Sequence, residues 1–345
     1  MTASPTSRIS AVRPLWAVEG GRVTIVGSDF VVDPVLPRVL IGGLPARLSS
    51  ASSSELNAIV PGGLDGGRTP VRIQDAPGET AFVEIGAPLA TGLHQVDSPA
   101  FDRQGNLYVT FSGSRGQQGP VAIFIVRPDG SREPFVSDLA NPTSLAFDPE
   151  GRLHVSSRFE GTVHRIDKDG GATVVASELG VAFGLAFAPD GTLFVGDRSG
   201  SIYRVRDGRP SLFAGIPASV AAFHLAFGPD EWLYVTAPTL GARDHVYRVS
   251  PAGVVEIFFT GFGRPQGLAF DQRGDLYVVD ALAGASGVYR LSLDSPTQPE
   301  QLVSGGSLVG LAFDPLGGLV LASSDTVFRL RLPSQGPPSR VPTSR

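Results

Sequence analysis

The chain has 345 residues, 42% hydrophobic and 18% charged, with 43 glycines, 29 prolines, no cysteine and a net charge of −5. The length supplies a large core and suggests about two domains. The missing cysteines exclude disulfides, thiolate catalysis and zinc–sulfur sites, and an acidic chain without a basic patch argues against nucleic-acid partners. The abundance of turn formers, with no sustained helical spacing of apolar residues, predicts an all-β fold. The start, MTASPTSRISAVRP, has no apolar core of signal-peptide length, and no run of about 18 apolar residues occurs. No membrane partner is expected, and the location is read as cytoplasmic, or secreted if the start has lost a leader.

Residues 7–86 alternate short apolar runs with turns: RVTIVG (22–27), RVLIGG (38–43), NAIVPGG (57–63) and TPVRIQ (69–74). About seven strands in this length predict a small β-sandwich. The order Ile9, Pro14, Gly20-Gly21, Val23-Thr24-Ile25, Gly27, Phe30, Ile41-Gly42-Gly43, Pro45-Ala46 and Ile59-Val60-Pro61 resembles the IPT/TIG family of immunoglobulin-like domains. That family includes DNA-contacting modules and spacers of receptors and bacterial enzymes. Residues 1–86 hold seven arginines and eight carboxylates, so a spacer or docking role is expected rather than DNA binding.

From residue 98 a motif recurs six times: SPAFDRQGNLYVT (98–110), SLAFDPEGRLHVS (144–156), GLAFAPDGTLFVG (184–196), HLAFGPDEWLYVT (224–236), GLAFDQRGDLYVV (267–279) and GLAFDPLGGLVLA (310–322). Its phenylalanines, Phe101, Phe147, Phe187, Phe227, Phe270 and Phe313, are spaced by 46, 40, 40, 43 and 43 residues. Periods in the forties with short strands are the signature of propeller blades. The x-L-A-F run reads as an inner strand, the D-P-E-G type stretch as a hairpin turn with glycine at positive φ, and L-Y-V as a second strand. Copy four carries Glu231 in the glycine slot, which predicts a strained or widened turn. His154 and His164 fall in Tyr/Phe slots and read as packing residues.

A third strand follows at VHRI (163–166), IYRV (202–205), VYRV (246–249), VYRL (288–291) and VFRL (327–330), with a recurrent arginine at 165, 204, 248, 290 and 329. Repetition away from the channel favours a structural arginine over an anion-binding ring. The sixth copy lacks an outer strand, and TAFVEIGAPLATGL (80–93) aligns with AGVVEIFFTGF (252–262). The missing strand is therefore expected to come from before the first blade, closing the ring without an open edge. The expected domains are a sandwich at 7–86 and a six-bladed propeller at 82–333, with a disordered tail at 334–345.

Over about 82–333 the repeat resembles the six-bladed propellers of the NHL and gluconolactonase (senescence-marker, regucalcin-like) families. Active gluconolactonases hold a divalent metal at the channel mouth, on residues just before the inner strands. The resemblance implies Ca²⁺ or another hard cation polarising a lactone carbonyl. The corresponding positions here are Asp97, Thr143, Phe183, Phe223, Gln266 and Val309. One carboxylate, one amide, one hydroxyl and three apolar residues make a poor cation site, with Asp97 its one metal-ligand candidate. GPDEWLYVT (228–236) also resembles the repeats of streptogramin lyases, but the His/Glu/His cluster of those enzymes is absent.

His224 precedes an inner strand and is placed to face the channel mouth, whereas His245 sits in a loop. Residues after the second strands, Thr110, Arg158, Asp197, Thr236, Asp280 and Asp325, form a mixed-charge rim. No G-x-S-x-G motif appears, and GGLDGG (62–67) lacks the Lys-Ser/Thr of a phosphate loop. Catalytic residues are not identified, and whether the chain is an enzyme stays open. The leading expectation is a binding scaffold that takes a small molecule, protein or peptide on Asp97, Thr143, Arg158, Asp197, His224, Gln266 and Asp280. The alternatives are a metal-dependent sugar-lactone hydrolase with a degenerate site and a streptogramin-lyase-like propeller.

Overall fold

The computed structural model describes residues 7–74, 80–93, 97–282 and 284–332, so the expected tail at 334–345 lies outside the described residues. Every regular element among them is a β-strand. In the N-terminal sandwich, Arg22–Ser28 pairs with Arg8–Arg13 and Glu55–Ile59, and Leu44–Ala51 follows on the far side. Facing this sheet, Gly67–Ile73 lies between Val39–Ile41 and Ala81–Ile85. Alternate residues point inward along each strand, so Val23, Ile25, Leu56 and Ala58 meet Ile41, Val71 and Val83 in one core.

Five four-stranded sheets stand as separate blades, at 100–136, 142–176, 182–215, 224–262 and 308–330 with 87–90. Six separate blade sheets were expected, and this is corrected. The quartet Pro265–Phe270, Leu276–Asp280, Gly287–Leu291 and Glu300–Ser304 is one end of a twelve-stranded sheet. The cause is a two-residue strand, Trp16–Ala17, which pairs in parallel with both Val303–Ser304 and Glu84–Ile85. That stitch carries the ladder from the sandwich into the propeller. Ser304 reinforces it, since its hydroxyl donates to Arg22 O at 2.7 Å. The chain's last described strand, Val327–Leu330, takes Ala87–Ala90 as its outer neighbour, so the ring closes on a strand from before the first blade.

The repeat's aromatic slots acquire a physical role. The second-strand ring of one unit packs edge-on against the inner-strand phenylalanine of the next. The pairs are Tyr108–Phe147 at 5.3 Å, His154–Phe187 at 4.8 Å, Phe194–Phe227 at 5.3 Å, Tyr234–Phe270 at 5.1 Å and Tyr277–Phe313 at 4.9 Å. Each such contact contributes roughly 0.5–1.5 kcal/mol beyond area burial. His154 thus packs as its slot implies. Of the recurrent arginines, Arg248 and Arg290 pair with outer-strand Glu256 and Glu300, while Arg329 donates to Pro128 O of the neighbouring blade. These three arginines make structural ties, two to an outer strand and one to a neighbouring turn, rather than facing an anion. Glu231 holds φ +63° where the other copies have glycine at +82° to +87°, so that turn is strained.

Candidate functional site

The site is set by one position of the repeat, the first residue of x-L-A-F. Around the channel this residue is Ser98, Ser144, Gly184, His224, Gly267 and Gly310. Three of the six are glycines because neighbouring inner strands approach closely there. A Cβ on Gly310 would lie 1.8 Å from Asp97 O and 3.0 Å from Pro99 Cδ. His224 departs from this pattern. Its imidazole crosses the space the glycines leave open and reaches the segment before the first inner strand. Ser98 Oγ lies 3.1 Å from His224 Nδ1, and Asp97 Oδ1 lies 3.4 Å from His224 Nε2.

His224 is 4% exposed, and its Nε2 atom is buried without a hydrogen bond of good geometry. Burial pushes the Asp97 carboxyl above the ordinary carboxylate range, opposed by the nearby charges of His224 and Arg158. Burial pushes the His224 imidazole below its ordinary value, opposed by Asp97. Burial thus disfavours the charged form of both groups, while each favours the charge on the other.

Above this pair lies a cationic rim. Arg158 and Arg198 occupy the same slot, one residue beyond the second strands Leu153–Ser157 and Leu193–Asp197. Both guanidinium groups sit over the Phe183 ring, at 6.0 and 5.8 Å from its centroid. Arg158 is held near Ser112, and burial lowers its basicity, reinforced by Arg198 and Arg115 and opposed by Asp97. Arg198 donates to Val220 O through one nitrogen, while its buried Nε has no partner among the described residues. Arg158 therefore feels two other guanidinium groups, Arg198 and Arg115, and the carboxylate of Asp97, which already faces His224.

The structure brings together Asp97, His224 and Arg158 from the expected set and sends the others elsewhere. Asp197 accepts a hydrogen bond from Val181 N at 2.8 Å, and Asp280 accepts from Arg264 N at 2.7 Å and Gly263 N at 3.1 Å. These carboxylates pin the loops that lead into the inner strands. Thr143 Oγ1 donates back to Asn141 O, and Gln266 is 4% exposed with its backbone carbonyl accepting from Thr236 Oγ1. His245 bonds Thr260 Oγ1 at 2.8 Å, away from the cluster.

Ser98 and Arg198 are not singled out by the sequence. Aligning the repeat by its first inner-strand residue would have found both. Asp197 stands one position before Arg198, and the two are easily exchanged when second strands are aligned by eye.

A divalent cation does not fit these residues. Thr143 and Gln266 are engaged or buried, Phe183 and Phe223 are apolar, and Asp97 faces an imidazole whose other nitrogen is bonded to serine. Among the described residues no group of three or more His, Cys, Asp and Glu is placed to hold a metal.

Residues 7–83 match the IPT/TIG domain family. No curated protein matches the chain. Among solved structures, a gluconolactonase from Xanthomonas campestris superposes with a TM-score of 0.59 at 19% identity, covering 86% of this chain and 98% of that one. An auxiliary nutrient binding protein from Bacteroides ovatus gives a TM-score of 0.52 at 14% identity, over 94% of this chain and 98% of that one. Virginiamycin B lyase from Staphylococcus aureus gives 0.53 at 15% identity, over 86% and 99%. At these identities the likeness is one of fold. The chain is an all-β protein with a TIG sandwich and a propeller.

Proposed function

We propose that this protein is a binding propeller whose channel mouth takes a small anionic molecule with an apolar body, and that the TIG sandwich is its docking or spacer unit. In this reading the quartet 265–304 serves as a sixth blade, since it continues the edge-on aromatic series on both sides. The propeller spans 82–333, and the sandwich 7–86.

The observation that carries the ligand class is the pairing of Arg158 and Arg198 over Phe183 at the channel mouth. A carboxylate or similar acceptor would bind between the two guanidinium groups, with the apolar part of the ligand toward Phe183. The nutrient-binding neighbour, which matches both domains in length, is consistent with a binding role. A metal-dependent lactonase reading is not adopted, because the donor set is unsuited to a hard cation.

The test is calorimetry against sugar carboxylates and short dicarboxylates. At least one should bind with salt-sensitive affinity that falls about tenfold or more in Arg198→Ala. The proposal fails if none binds, or if Arg198→Ala leaves affinity unchanged.

A further inference from the structure

On the other side of His224 from the rim, the channel holds a cavity of about 250 Å³. Ser98, Ser144 and His224 supply its polar wall, and Leu185, Leu225 and Leu268 are among its apolar ones. Phe270 lines both this cavity and a depression on the turn face bordered by Phe147, Phe187 and Phe227, which places the cavity toward the face opposite the arginines. A buried, titratable side chain is unexpected at His224. The same repeat position is glycine at 184, 267 and 310, so neither packing nor strand geometry calls for an imidazole there. Its Nδ1 meets a serine hydroxyl, its Nε2 faces a carboxylate, and the serine opens onto a cavity. These are the mutual relations of a nucleophile, a base and an orienting acid.

We infer that Ser98, His224 and Asp97 form a metal-independent acyl-transfer site in the channel, with Ser98 as nucleophile toward a short-chain ester or lactone entering the leucine-walled cavity. In the resting state the His224 proton sits on Nε2, toward Asp97, which leaves Nδ1 free to accept from Ser98. Ser98 passes its proton to Nδ1 as Oγ adds to the substrate carbonyl carbon. The adduct collapses by breaking the bond from that carbon to the leaving oxygen, which takes the proton from His224. Water then attacks the acyl-serine by the same route, releasing the acid and restoring Ser98. Asp97 touches no reacting atom and is a positioning residue that fixes the tautomer. Asp97 lies between this site and the arginine rim, and the two are read separately, by covalent capture of Ser98 here and by calorimetry at the rim.

The test treats the intact chain at about pH 8 with a fluorophosphonate probe, whose phosphorus Ser98 would capture with loss of fluoride, and assays p-nitrophenyl butyrate hydrolysis in parallel. The expected result is an adduct mapped to the peptide containing Ser98. Labelling and turnover should vanish in Ser98→Ala and slow at least about 100-fold in His224→Asn. Asp97→Asn should shift the pH profile of labelling. Ser98→Ala should melt close to the wild type, which separates lost chemistry from lost fold. Gly215→Ala, at the end of an outer strand away from the channel, should label as the wild type does. Folded wild type that takes no label, or a label that persists in Ser98→Ala, overturns the inference.

Discussion

Gly310→Ala is a one-carbon perturbation aimed at the segment that carries Asp97 and Ser98. The added Cβ would sit 1.8 Å from Asp97 O, 3.0 Å from Asp97 C and 3.0 Å from Pro99 Cδ. Ordinary contacts need about 3.5 Å, so the 97–99 segment must retreat by roughly 1.5 Å. Backbone on both sides leaves no flexible side chain to yield. A retreat of that size lengthens the 3.1 Å Ser98–His224 contact past hydrogen-bonding range. Overpacking costs about 1–3 kcal/mol and a buried imidazole nitrogen without its partner about 1–3 more. The expected loss is therefore about 2–6 kcal/mol, a melting point lower by about 4 °C or more.

Gly215→Ala is the matched control. Gly215 ends an outer strand, has no left-handed φ, and a Cβ there meets nothing within 4 Å. It should change stability by about 0.5 kcal/mol or less. Thermal melts of the three proteins decide the matter. If Gly310→Ala melts with Gly215→Ala, the close approach that positions Asp97 and Ser98 is wrong.

Glu231→Gly should stabilise the protein by about 1 kcal/mol, because glycine relieves the left-handed turn that its five counterparts fill without strain, and a rise in melting point checks it. The response to acid should depend on His224. Its folded-state pKa lies below the ordinary 6.5, so the unfolded chain binds the extra proton first and stability is lost as pH falls through that value. Asp97 has the opposite sign, since a carboxyl raised above 3.8 makes the folded state the better proton binder and costs stability as pH rises from there. His224→Asn removes the first effect, so its loss of stability between about pH 7 and about pH 5.5 should be shallower than in the wild type. An equal or steeper loss would show that His224 is not held neutral by burial.

The sequence by itself determined what is periodic or local. Alternation in RVTIVG and the six x-L-A-F copies produced the β class, the sandwich, the blades and the donated closing strand, because period-two patterning and turn glycines act within a few residues. The strained Glu231 turn and the packing role of His154 were legible for the same reason. Tertiary structure decided what depends on distant pairs. Trp16–Ala17 is too short to show any period, yet it joins Glu84–Ile85 to Val303–Ser304 and merges the strands of 265–304 into the sandwich sheet. Asp197 and Asp280 look like rim ligands in one dimension, and only the fold turns them back onto loop amides. The contact of His224 with Ser98 spans 126 residues of sequence. It exists because the ring brings their strands to one channel and because Gly310 has no side chain to hold the 97–99 segment away.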